Sequence, residues 1–300
     1  MAIWQYIRDH DNGVTNFHFE IAADLLDKDE LDLLSTMRPG LVQLEIGVQS
    51  TNEKTLEAIR RKTDIEEIRE ITETINSWHN IHQHLDLIAG LPHEDLSSFR
   101  KSFNEVYDME PEQLQLGFLK VLKGSYMEEM IPACELLYSS SPPYEVLSTR
   151  WLSYGDILEL KAVEEMVEVY YNSRQFTCTL EQLRQEFDTP YEMFLDLAGF
   201  YQKKGYGGVN HSRLARYEIL WEQAEEMFSD GSRTDAERKR EQYRDALMTD
   251  LYLRENIKSR PSFARKTEHS TSFSGSTYNW AIRGIEISKP TTDKYIFFIS

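Results

Sequence analysis

Between residues 14 and 122 the chain alternates strand-like and helix-like patterns, and this alternation restricts its fold more than any other feature. Residues 14–21 (VTNFHFEI) are rich in β-formers and alternate in part. Residues 29–37 follow at helical spacing, with Leu31, Leu33 and Leu34 apolar, and Arg38-Pro39-Gly40 stops them. A second strand is predicted at 41–48 (LVQLEIGV). A helical region over 52–78 comes next, in which Ile65, Ile68, Ile71 and Ile75 step by three and four residues. Thr63 and Asp64, with Glu66 and Glu67 in the first turn, suit the positive end of a helix dipole. A third strand at 83–89, a helix at 96–109 and a fourth strand at 113–122 complete the series. Strand–helix–strand repetition with short joins implies parallel pairing and right-handed crossovers, as in an α/β barrel or a doubly wound sheet.

Beyond Gly124 the pattern changes. Ser139-Ser-Ser-Pro-Pro143 reads as a loop or boundary, and helices are predicted at 154–172, 180–187, 191–204, 212–228 and 234–254. Aromatic residues crowd this half, among them Tyr170, Phe176, Tyr191, Phe194, Phe200 and Tyr201, and their helical spacing assigns them to a packed core. A tail from 258, rich in Ser, Thr and Lys, is expected to be irregular, with a terminal strand at 295–300. The expected organisation is an α/β part over 1–135, a mainly helical part over 136–257 and the tail over 258–300.

In a parallel α/β layer, ligands bind at the carboxyl ends of strands, where loops and helix N-termini converge. Those ends carry Glu20 and Asp24, then Gln49 and Ser50 with Arg60 and Arg61 one helix later, then Asp86, Ile88, Gly90 and Pro92, then Lys120 and Lys123. Asp86 stands inside an apolar run, and a charged side chain so placed needs a partner. His79, His82 and His84 form the densest imidazole cluster. In a strand His82 and His84 share a face, a two-ligand geometry for zinc that would need His79 or His93 as a third. That spacing matches no metal motif, and exposed polar positions are the simpler reading. His18 lies within the first strand as either core or substrate wall.

The segments FEIAADLL, LEIGVQSTNEKTLEAIRR, HLDLIAGLPHED and LQLGFLKVLKGS, in this order, resemble the radical S-adenosylmethionine (SAM) superfamily. They are most similar to the branch containing oxygen-independent coproporphyrinogen oxidase and the cobalamin-domain radical SAM proteins. The similarity covers about residues 14–127, and GVQS, Arg61 twelve positions after Gln49, and DLIAGLP form its most specific combination. The helical half resembles the uncharacterised domain that trails the barrel in some of those proteins. The resemblance implies the C-terminal part of a partial (β/α)6 barrel and a SAM-binding set of Glu20, Gln49, Ser50, Arg61, Asp86, Ile88 and Gly90. In it Glu20 meets the SAM amino group through a charge-assisted bond, and Gln49 and Arg61 meet the methionyl carboxylate and ribose. Asp86 accepts from ribose hydroxyls, Ile88 walls the adenine, and Gly90 permits close approach. The alternatives are an ordinary strand-end glutamate, a solvated helix arginine and a plain βα turn.

The family holds a [4Fe–4S] cluster on a CxxxCxxC loop, and the cluster reduces SAM to a 5′-deoxyadenosyl radical. Here the only cysteines are Cys134 and Cys178, too few for a cluster, which takes three or four thiolates, and no basis for a disulfide framework. The start at Met1, ahead of IWQYIRDH, reads as a truncation that leaves the cluster loop and two strands upstream. The chain as written is then inert in radical generation. The cluster, and cobalamin with it, belong to the longer protein, which would abstract hydrogen from, or methylate, an unidentified small molecule. The alternative is a non-catalytic scaffold derived from such a barrel. Removing two strands would leave residues 14–21 as an open edge through which the chain could associate. With 33 basic and 51 acidic side chains the net charge is 33 − 51 = −18, which repels phosphate backbones and argues against nucleic acid. The longest apolar runs fall well short of about 18 residues, and no basic leader is present, so neither a membrane span nor a secretory signal is predicted and a cytoplasmic location is expected.

Overall fold

Side-chain caps set the starts of most helices. In the computed structural model, which describes residues 1–229, 235–257, 261–264, 280–282 and 285–287, the first helix α1 spans Ala2–Asp9 and leads into strand β1, Phe17–Ile21. After a 3₁₀ turn at Ala23–Leu25, Asp27 caps helix α2 (Lys28–Ser35) in a reciprocal box with Glu30. Strand β2 is Val42–Gln49, followed by α3 at Glu53–Ala58 and α4 at Ile65–Trp78. Asp64 caps α4 through the N–H groups of Glu66 and Glu67, as the sequence predicts. Strand β3 is His82–Ala89, and Asp95 caps α5, Leu96–Tyr107. Strand β4 is Gln113–Phe118.

These four strands form one parallel sheet in the order β1-β2-β3-β4, so the α/β class expected from the alternation is observed and β1 is an edge strand. Along β2, Val42, Leu44, Ile46 and Val48 are buried while the residues between them are half-exposed. The buried face continues through Leu85, Leu87 and Leu114, and Ile75 of α4 and Phe103 of α5 are as fully buried. Each such side chain contributes roughly 1.5–3 kcal/mol of burial. The other face carries the polar residues.

The single helical region predicted at 52–78 is two helices with a break. Arg60 has φ +60°, and the Arg61 N–H donates to the Leu56 carbonyl, which ends α3. The break turns the Arg61 side chain back to donate to the Gly47 carbonyl of β2.

After β4 come two short helices, α6 (Tyr126–Glu129) and α7 (Ile131–Cys134), and an antiparallel pair of β5 (Leu137–Tyr138) with β6 (Val146–Ser148). Helix α8 is Tyr154–Met166, continued by a π-helical segment over Val167–Asn172. Then follow α9 (Thr177–Arg184) and α10 (Pro190–Lys204), α10 packing on α5 and α8. Tyr170, Phe176, Tyr191, Phe194 and Leu197 are buried, and the Tyr170 and Tyr201 hydroxyls meet at 2.6 Å.

The residues separate into two units, Met1–Val209 and a second beginning at Asn210. The second contains α11 (Arg213–Met227) packed on α12 (Ala236–Arg254), and an antiparallel pair of β7 (Trp280–Ile282) with β8 (Ile285–Ile287). The terminal strand expected at 295–300 lies outside the described residues, as does most of the tail from 258. Among the described residues no helix is long and apolar enough to cross a membrane.

The π segment departs from the regular helix expected to run through 172, and its use explains it. Asn172 accepts from the Leu114 N–H at 3.0 Å and donates to the Leu114 carbonyl at 3.0 Å, closing the free side of β4 as a strand would. The Tyr171 hydroxyl donates to the Pro111 carbonyl at 2.5 Å. Asn172→Ala leaves both Leu114 groups unpaired, so urea unfolding is expected to show a loss of roughly 2 kcal/mol. A loss below about 0.5 kcal/mol contradicts this account of the edge.

Candidate functional site

Strand alternation and parallel register stack the polar face into rows. Nearest the strand starts, His18, Gln43 and His82 are paired across β1, β2 and β3. The next row is Glu20, Glu45, His84 and Gln113, and above it Gly47, Asp86 and Gln115. Ile88 lies beside Gly117 toward the strand ends. Glycine stands at 47 and 117 in the upper rows, beside Asp86 and Ile88 respectively.

Asp86 is the electrostatic centre of this face. Its carboxyl is pushed up to about 7, first by burial, then by the hydrogen bond and charge of Glu45 and by the charge of Glu20, with Arg61 pulling the other way. Its Oδ1 is buried and has no hydrogen-bond partner. Burial likewise lowers the pKa of His82 and His84, keeping both imidazoles neutral near pH 7.

The end of β2 gathers Gln49 and Arg61 around Gly47. The ladder shifts register between Gly47 and Gln49, Gln49 has φ +69°, and a Cβ on Gly47 would come within 2.6 Å of Gln49 Nε2 and 3.2 Å of an Arg61 nitrogen. Arg61 also donates to Thr63 Oγ1 at 3.2 Å, while Arg60 lies over the Tyr126 ring at 3.9 Å, so the two arginines have different tasks. Glu20, Glu45, Asp86 and Arg61 thus share one electrostatic neighbourhood.

Two predicted site residues, Ser50 and Gly90, have partners within the protein. Ser50 is buried and donates to Glu94 Oε1 at 2.6 Å, and Ser102 donates to the same oxygen at 3.0 Å. Glu94 is fully buried, and burial pushes its carboxyl up to about 7 against those two bonds. Gly90 has φ +94°, and a Cβ there would meet Val146 Cγ1 at 2.7 Å, so the glycine serves the packing of β6. A surface cavity of about 670 Å³ lies elsewhere, lined by Asp24, Thr51, Leu56, Lys62, Arg69 and Lys101, none of them on the polar face.

The histidines divide differently from the cluster seen in the sequence. His79 is the left-handed cap of α4, and His93 packs on Trp151 with ring centroids 4.6 Å apart. His84 instead faces His18 and Glu45 from neighbouring strands. Sequence patterning at the strand ends singles out neither Glu45, on the polar face, nor the buried Glu94. Glu45 was detectable, since two positions before Gly47 in an alternating strand places it on the face of Asp86. Glu94 follows a turn with no periodicity to mark it.

Comparison with known proteins gives three kinds of match. The family described as Protein of unknown function (DUF4080) matches residues 134–284, just over half the chain. A curated relative, the oxygen-independent coproporphyrinogen-III oxidase-like protein HemZ of Bacillus subtilis (strain 168), is 35% identical over 91 residues. That stretch is 28% of this chain and 17% of the relative, so the chain matches under a fifth of that protein's length. Among solved structures, Escherichia coli coproporphyrinogen III oxidase (HemN), described as a radical SAM enzyme, has a TM-score of 0.40 at 17% identity, covering 61% of this chain and 42% of HemN. The radical SAM methyltransferase TsrM of Kitasatospora setae, with tryptophan and a SAM analogue bound, has a TM-score of 0.39 at 13% identity, covering 48% of this chain and 30% of TsrM.

Glu94 generates a pH prediction. A carboxyl held near 7 in the fold and near its ordinary 4.5 when unfolded binds more protons folded than unfolded. Its contribution is therefore full below pH 4.5 and lost as pH rises through 7, by as much as about 3 kcal/mol. Glu94→Gln, a permanent mimic of the neutral form, is expected to flatten the urea-unfolding profile across that window and to be the more stable protein at about pH 8. An equal slope in wild type and variant contradicts it.

Proposed function

Because this chain belongs to the family described as Protein of unknown function (DUF4080), a description that assigns no chemistry, its role must be argued from the site, and we propose that the sheet-bearing unit is the SAM-binding part of a radical SAM enzyme. In this reading β1 to β4 are consecutive strands of an incomplete (β/α)6 barrel, and the polar face is its interior. The similarity to the HemZ-like protein and the motif resemblance of the GVQS and DLIAGLP segments support it.

One observation carries the reading: Asp86, the innermost carboxyl of the face, has a buried oxygen with no partner and stands between two further carboxylates and one guanidinium. SAM carries a sulfonium and an ammonium group, a carboxylate and two ribose hydroxyls. Glu20 and Glu45 supply the negative field that favours its cationic centres, and Asp86 Oδ1 accepts from a ribose hydroxyl. Arg61, at the end of β2, answers the carboxylate. Ile88 offers the adenine an apolar neighbour. Gln49 lies beside Arg61 as an orienting amide, while Ser50 and Gly90 support the site through Glu94 and Val146 rather than by touching the ligand.

The donor set does not fit an iron–sulfur cluster. Cys134 is buried with its thiol pKa raised by burial, Cys178 lies in α9, and two thiolates are too few. We therefore assign this chain's residues to SAM and not to the cluster. The reaction class that accompanies the reading is radical-initiated hydrogen abstraction or methyl transfer on a small molecule, driven by groups this chain does not provide. The cysteine count also favours a second reading, a non-catalytic scaffold that kept the sheet without the ligand.

Equilibrium dialysis of the purified chain against radiolabelled SAM separates the two. Saturable binding is expected, competed by S-adenosylhomocysteine, and weakened about tenfold by Asp86→Leu, which removes the acceptor. Binding that is linear up to millimolar SAM, or unchanged in Asp86→Leu, overturns the SAM reading and leaves the scaffold.

A further inference from the structure

We propose that His18, Glu45 and His84 form a binding site for a divalent transition-metal ion of zinc-like softness, centred one row nearer the strand starts than Asp86; it shares Glu45 with the SAM reading but does not rest on it. Each residue presents one ligand atom, two imidazole nitrogens and a carboxylate oxygen, and all three lie within 4.8 Å of one another. His18 Nε2 and Glu45 Oε2 are 2.9 Å apart. Three ligands set tetrahedrally about zinc at 2.0–2.1 Å are separated by about 3.4 Å, so ordinary side-chain rotation of about 1.5 Å assembles the site.

The two-histidine, one-carboxylate composition is what distinguishes this cluster from the many acidic groups elsewhere on the chain. Carboxylates alone suit calcium or magnesium, whereas imidazoles select zinc and its neighbours in the first transition row. The backbone already supplies the geometry, since Glu45 and His84 are register partners on adjacent strands and His18 lies one row below on the next.

A second observation points the same way. His84 is 8% exposed and its Nδ1 has no hydrogen-bond partner. Its other nitrogen faces Gln43 Nε2 at 3.0 Å. Turning that amide over puts its carbonyl oxygen there instead, so that Nε2–H donates to it and Nδ1 keeps its lone pair. This is the outer support that metal-bound histidines generally have. His82, whose ring lies 4.9 Å from that of His84, fills the remaining side of the face. Three protein ligands leave a coordination position open toward the polar face, as in zinc sites that bind water or a substrate rather than purely structural ones.

The test uses the full chain, freed of any affinity tag and stripped with EDTA, titrated with zinc chloride by calorimetry. One ion per chain at micromolar or tighter affinity is expected. His18→Ala and Glu45→Gln should each weaken it at least tenfold, whereas His79→Ala and His93→Ala should leave it unchanged. His18 is the more exposed ligand, so its variant remains informative if His84→Ala fails to fold, and far-UV circular dichroism checks each variant. Cobalt(II) provides an independent readout: the wild type should show visible d–d absorption that is absent in His18→Ala. No binding by the folded wild type, or equal affinity in His18→Ala and His79→Ala, overturns the proposal.

Discussion

A buried carboxylate on the polar face of the sheet organises this molecule. Asp86 follows Leu85 and precedes Leu87, both fully buried, and its own oxygen is buried without a partner. Strands of parallel sheets are usually covered on both faces and read as continuous apolar runs. This sheet is apolar on one face only, and the other carries Glu20, Glu45, His84 and Asp86 in adjacent rows. Bringing like charges together in partial burial costs stability. The helices α4 and α5 offset it from behind through Ile75, Phe103 and the sheet leucines. The architecture therefore has an apolar, supported side and a polar side.

The break between α3 and α4 belongs to the same design. A continuous helix through residue 60 would carry Arg61 away from β2. The left-handed Arg60 turns the chain so that the Arg61 guanidinium reaches the Gly47 carbonyl and Thr63. A Cβ at 47 would press on that guanidinium and on the Gln49 amide, and both would have to shift. On the far edge, the widened π turn delivers Asn172 to Leu114. In both places a local departure from regular geometry satisfies a strand end that would otherwise be left open.

The sequence made the sheet legible because its signals are local. Period-two alternation in LVQLEIGV, the Asp64 cap and the Pro-Gly stop after Arg38 each act within a few residues, and the structure follows them. The misses are all non-local. A regular helix through 172 was the natural reading because the Leu114 edge that recruits Asn172 lies 58 positions away. The bond of Ser50 to Glu94, 44 positions distant, leaves no local signal. The histidine cluster was sought among neighbours in the chain, whereas register pairs His84 with Glu45 and sets His18 close by. Residue types announced that chemistry was present. Only strand order shows which groups meet.

That distinction bears on how family motifs are read. GVQS and the Gly90 turn satisfy demands of the backbone: a bulge, a left-handed residue, a buried serine on a buried acid, a glycine against Val146. Such positions persist whether or not a ligand binds, so their presence cannot separate an enzyme from a scaffold that inherited the sheet. Groups without a structural task carry more information. An unpaired buried polar atom costs about 1–3 kcal/mol, and Asp86 Oδ1 and His84 Nδ1 both bear that cost on the uncovered face of one strand. Gln83 Oε1 is also unpaired, but its amide nitrogen is tied to Thr72 and Asn76 beneath the sheet, where packing accounts for the position. Alternation turns the side chain at 86 to the face opposite Leu85 and Leu87, so the leucine packing neither requires an acid there nor covers it. The buried, unpaired oxygen of Asp86 is thus a feature of the polar face that the apolar core does not account for, and the proposed SAM site rests on it.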